Sequence, residues 1–150
     1  MVMGKARWSI IVVAVLLSLG ATIVEAGDCS VASIKGSFGF VEQGTGLQTT
    51  PRPYTNSGIA TFDGTGLVSG KFTLNVGGVS APGTFTGTYT VDPDCTFSIQ
   101  FTSSLGGVFH QVGTLTGEGI FQEGHYIYTD TGLVATGTAK RISSGKGDDR

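Results

Sequence analysis

The sequence predicts an all-β protein, an eight-stranded antiparallel up-and-down barrel, with a two-sheet sandwich as the alternative architecture. Three observations predict it. Segments of alternating apolar and polar residues recur about every ten to twelve residues. Clusters of Gly, Asn, Asp and Pro separate them, the residues that tight hairpins require. Charged residues are only 13% of the chain while glycines number 25, so hydroxyls and backbone must cover the surface and no charged helical face can be assembled.

The chain divides into three parts. Lys5 and Arg7, the apolar run Ile10 to Leu19 and the small-residue site "VEA" read as a secretory signal peptide over residues 1–26. The apolar run to Val24 is about fifteen residues, short of the ~20 that span a bilayer. Residues 27–142 form one barrel domain, and 143–150, "SSGKGDDR", read as a disordered tail. The mature chain of about 124 residues can bury roughly two-thirds of its unfolded surface, enough for a single modest core.

Taken in order, Ile34 to Val41 places Ile34, Phe38 and Phe40 on one face, and Gly58 to Phe62 is a short strand. "LVSGKFTLNV" aligns Phe72, Leu74 and Val76. "GTFTGTYTVDPDC" sets Phe85, Tyr89 and Val91 against Thr84, Thr86, Thr88 and Thr90, and "CTFSIQFTS" sets Phe97, Ile99 and Phe101 against Ser98, Gln100 and Thr102. Val108 to Leu115, Ile120 to Tyr128 and Val134 to Ile142 complete the count. Turns fall at "DGTG", "NVGG", "DPD" and "DTG", and Pro51, Pro53, Pro82 and Pro93 are all expected between strands. Closure into a barrel is preferred because this charge-poor sequence does little to protect sheet edges. Aromatic faces then point inward and threonines outward. An outer-membrane barrel would invert that assignment, but the paired cysteines, short strands and polar terminus disfavour it.

Cys29 and Cys95 are an even count in a chain bound for an oxidising compartment, so a disulfide between them is expected. Closing a loop of about 66 residues removes on the order of 4 kcal/mol of unfolded-state freedom. Asp28 and Asp94 precede the two cysteines and disfavour a thiolate at either.

The segments "CSVASIKGSFGF", "GIATFDGTGLVSGKFTLNVGG", "GTYTVDPDC" and "TDTGLVATGTAKR" resemble a family of small secreted bacterial proteins with an allene-oxide-cyclase-like, calycin-type barrel. The resemblance implies the eight-stranded barrel and the paired cysteines. It carries no catalytic residue over to this chain.

No motif in the sequence specifies a reaction. Net charge is slightly negative, and the cations are scattered apart from Lys140-Arg141 and the tail, which argues against nucleic acid or an anionic membrane surface as partner. Two histidines fifteen positions apart make no metal site, and no cofactor motif is present. A small hydrophobic or aromatic ligand held inside the barrel is the leading expectation, with Phe38, Phe72, Tyr89 and Phe101 around it. An isomerase or cyclase would use Glu118 or His125 for proton transfer, and a filled, structural barrel acting through its surface is the third reading. The enzyme is less favoured, because Glu123-Gly124 suits a turn and Tyr126 and Tyr128 are ordinary strand residues. The signal peptide places the protein in the periplasm or outside the cell.

Overall fold

A computed structural model describes residues 29–117 and 123–142. Eight antiparallel strands close into a single barrel: β1 (Gly36–Gly46), β2 (Arg52–Phe62), β3 (Leu67–Val76), β4 (Val79–Val91), β5 (Thr96–Ser103), β6 (Val108–Thr116), β7 (Glu123–Tyr128) and β8 (Leu133–Arg141). Every neighbour in the barrel is also a neighbour in sequence except at the seam, where β1 pairs with β8 from Phe38↔Arg141 to Gly46↔Leu133. The expected signal peptide, Glu118 and the expected tail lie outside the described residues. Below, the lower end of the barrel is the one where β1 begins and the upper end the one where it finishes.

Parity decides what fills the interior. On β4 the Phe85 and Tyr89 positions turn inward while Thr84, Thr86, Thr88 and Thr90 are exposed, and on β5 Phe97, Ile99 and Phe101 turn inward. The β3–β4 connection is a two-residue hairpin in which Gly77 and Gly78 both have positive φ (59° and 88°), the geometry that matches the right-handed twist of the strands.

Four expectations need correction. Ile34 belongs to a 3-10 helix, Val31–Ile34, where Ser33 N–H bonds Ser30 C=O (2.9 Å) and Ser30 N–H bonds Ser33 Oγ (3.0 Å). These serine contacts offer the backbone an alternative to the sheet, so β1 starts only at Gly36. Second, β2 runs from Arg52, six residues earlier than its apolar alternation suggests, because the inward positions Tyr54 and Asn56 are polar or half-polar. Third, β4 begins at Val79. Pro53 and Pro82 therefore lie inside strands, not between them.

Both prolines sit where one neighbouring ladder has ended. Thr84 N–H donates to Ser104 Oγ (2.9 Å), so backbone groups of this parity on β4 face β5. The β4–β5 ladder stops at Phe85↔Ser103, leaving no strand partner for a donor at Pro82 to miss. Pro53 likewise lies one position beyond the β2–β3 ladder, which begins at Tyr54↔Val76.

The lower end is plugged. Ile34, 2% exposed, enters the barrel beneath Phe38, Phe62, Val68, Tyr89 and Phe97. Phe38–Phe62 and Phe62–Tyr89 are edge-on ring pairs with centroids 5.6 and 5.0 Å apart. The Tyr89 hydroxyl donates to Val31 C=O (2.9 Å) and accepts from Gly64 N–H (3.0 Å), tying the plug to the β2–β3 turn. Arg141 caps the seam: its guanidinium lies 4.6 Å above the Phe38 ring centre and donates to Lys35 C=O (2.7 Å). The Cys29–Cys95 disulfide fastens the segment leading into the 3-10 helix to the β4–β5 turn. Cys95 takes a left-handed backbone (φ 69°), uncommon outside glycine, with its N–H bonded to Asp92 C=O (2.9 Å).

Candidate functional site

Above this plug the interior does not fill. A cavity of about 380 Å³ rises from a floor of Ile34, Phe62, Val68 and Phe97 to the open end beside Gly46, Gln48, Arg52 and Gly106. Its two walls differ in chemistry because adjacent strands contribute different residues at the same height.

One wall is aromatic. Inward positions of β3 to β6 supply Phe72, Phe85, Phe101 and Phe109, whose rings follow one another at centroid separations of 6.3, 5.2 and 5.5 Å. Strand glycines make room for them. A Cβ at Gly70 would overlap the Phe85 ring, and one at Gly83 would overlap Phe72, so these rings lie flat across the neighbouring backbone.

The opposite wall is polar and centres on Glu42 of β1, only 4% exposed. Three groups donate to its carboxylate. Asn56 Nδ2 reaches Oε1 (2.9 Å), the Tyr126 hydroxyl reaches Oε2 (3.1 Å), and the Tyr128 hydroxyl spans Oε1 and Oε2 (2.9 and 2.8 Å). The sheet register builds this arrangement. Glu42 faces Asn56 across β1–β2 and Gly137 across β1–β8, and Gly137 in turn faces Tyr126 across β7–β8. A Cβ at Gly137 would collide with the Tyr126 ring, so glycine there is what lets the phenol cross β8 to the carboxylate.

Burial pushes the Glu42 carboxyl above its ordinary value, and the bonds from Asn56, Tyr128 and Tyr126 offset part of that rise. The phenols of Tyr126 and Tyr128 are pushed up as well, first by burial and then by the Glu42 charge, and remain hydrogen-bond donors across the ordinary pH range. Asn56 Oδ1 is buried without a partner. Gln111, also buried, adds an amide to the lining.

Of the residues singled out from sequence, Phe72 and Phe101 line the cavity, whereas Phe38 and Tyr89 lie below it in the plugged core. His125 is on the outer face of β7, its side chain 50% exposed and 3.6 Å from Glu123, with no access to the interior. Glu118 lies outside the described residues. His110, on β6, also points outward and meets Asp130 at 2.7 Å. Among the described residues no cluster of His, Cys, Asp and Glu could hold a metal ion. Sequence reasoning missed Glu42, Asn56 and Gln111. The available signal was parity: Glu42 continues the inward series Phe38, Phe40.

The sequence matches no family profile and no curated protein. Among solved structures, it is similar in fold to a de novo designed fluorescence-activating β-barrel, at 14% identity and a TM-score of 0.50, with 73% of this chain and 94% of that one covered. The class this defines is the closed eight-stranded antiparallel barrel.

Proposed function

We propose that this protein is a secreted barrel of the allene-oxide-cyclase-like, calycin type that binds one small hydrophobic or aromatic molecule in its upper half. The observation that carries the reading is the two-walled cavity above a plugged base. Its 380 Å³ lies in the range of small-molecule sites, which are mostly apolar with a few convergent polar groups. An eight-stranded barrel is just wide enough to be filled or to hold one ligand. Here Ile34 closes the lower end and the interior above it is not filled. Export is supported by the Cys29–Cys95 disulfide, and the hydroxyl-rich outer face of β4 is the reverse of a lipid-facing band.

Titration with Nile red, a neutral apolar dye, tests the binding reading. Saturable one-to-one binding is expected, and Leu74→Trp, which fills the cavity from β3, should abolish it. Failure of Nile red to bind, or equal binding to the Leu74→Trp variant, would overturn the site. Native mass spectrometry of protein taken from its own source should show a co-purifying small molecule.

A further inference from the structure

The polar wall is more specific than a general apolar pocket requires. Among the described residues no ion pair reaches Glu42, although three donors hold its carboxylate in place. The cation in the lining, Arg52, stands at the exposed rim, four residues along β2 from Asn56 and so about 13 Å away by strand rise. The site therefore holds a buried carboxylate and lacks a cation to pair with it. Across the cavity are aromatic faces, which attract a cation through their ring quadrupoles.

We infer that the ligand of this cavity is an organic amine: a protonated nitrogen placed against Glu42, on an aromatic or apolar frame packed against Phe72, Phe85, Phe101 and Phe109. The inference rests on the ligand-binding reading above and names its substrate class. The alternatives fail on charge and solvation. A carboxylate or phosphate ligand would stand against the Glu42 charge. A wholly apolar ligand would strip water from the carboxylate and return no hydrogen bond to it. An ammonium group returns both a hydrogen bond and a charge. Its charge also offsets the burial that opposes ionisation of Glu42. Because Tyr126 and Tyr128 already fix the carboxylate, little side-chain ordering is left to oppose binding.

Three probes with one ring system and different head groups test this by calorimetry at pH 8: 2-naphthylmethylammonium, 2-naphthylmethanol and 2-naphthoate. The ammonium compound should bind at least about ten-fold tighter than the alcohol, the scale expected for a desolvated charge contact, with naphthoate weakest. In Glu42→Gln the gap between ammonium and alcohol should close. Alcohol or naphthoate binding as tightly as the ammonium would overturn the amine assignment, as would a gap that survives Glu42→Gln. The ranking in the native protein decides even if that variant fails to fold. Nile red binding with no preference for the ammonium, or with none of the three probes binding, sinks this inference alone. If Nile red does not bind either, the cavity reading falls and the inference with it.

Discussion

The two halves of the barrel share strands, twist and parity rule, yet one end is closed and the other open. Below, Ile34 arrives from outside the sheet on a 3-10 helix and completes a core of Phe38, Phe62, Val68, Tyr89 and Phe97. Above, none of the described residues enters from outside the sheet, and the inward positions alternate between large rings and the polar group around Glu42. Strand geometry alone does not decide whether an eight-stranded barrel is filled. A four-residue helix does so at one end, and the fold is thereby divided into a stabilising base and a cavity that can carry polar residues a core would reject.

If the division is real, equal truncations should cost unequal amounts. Phe38→Ala, at the closed end and away from the cavity, should destabilise by about 3–5 kcal/mol, whereas Phe72→Ala, which only enlarges an existing cavity, should cost about 1–2 kcal/mol by urea denaturation. Equal losses would erase the distinction. Reducing the Cys29–Cys95 bond should cost about 2–5 kcal/mol, and amide exchange should quicken first around the 3-10 helix and Tyr89, with the upper ends of β5 and β6, around Phe101 and Phe109, following later. Uniform loss of protection would show that the base is not a separate unit.

Gly137→Ala sharpens the comparison in the upper half. Displacing the Tyr126 ring from Glu42 should cost about 1–3 kcal/mol and weaken ligand binding, while Gly132→Ala, in the β7–β8 turn, should affect stability through its positive φ (82°) and leave binding alone.

pH separates the halves by sign. Glu42 has its folded-state value raised above 4.5, so its contribution is fully present below that pH and is lost as pH rises through the raised value. The slope from this one proton cannot exceed about 1.4 kcal/mol per pH unit, and Glu42→Gln should flatten it. Asp63, at the lower end, behaves oppositely. Bonds from Thr65, Leu67 and Gly66 hold its carboxyl down at about 2 against an ordinary 3.8, so its contribution stands above 3.8 and is lost as pH falls through 2. Stability curves of the native protein and the Glu42→Gln and Asp63→Asn variants should show the two changes in separate pH windows. The smallest effect belongs to the outer face: Thr86→Ala should stay within about 1 kcal/mol.

The comparison also explains what the sequence made legible. Strands with apolar inward residues, such as β3 and β5, were readable almost to the residue, because burial and alternation coincide there. Alternation of hydropathy fails where the interior itself is polar. That is why β2 reads as five residues from Gly58 when it extends to Arg52, and why Tyr54, Asn56 and Glu42 escaped notice. The aromatic wall of the site was therefore half visible in Phe72 and Phe101, and the polar wall was not. Ile34 misled for a different reason: its side chain is buried as its alternation with Phe38 suggests, but Ser30 and Ser33 had already turned the backbone into a helix. Pro53 and Pro82 show that proline marks the end of a ladder, which need not be the end of a strand.

The β1–β8 seam sets the order in which the barrel can be made. Seven of its eight ladders join strands that follow one another directly, so each can zip as a hairpin soon after its turn forms. The eighth joins Phe38 to Arg141 and cannot begin until almost the whole barrel sequence exists. Throughout synthesis, β1 therefore offers an open edge to any other chain, with Val41 uncovered on the outer face. Closure is the slow, long-range event of folding, and protection from edge-to-edge aggregation arrives only with the last strand.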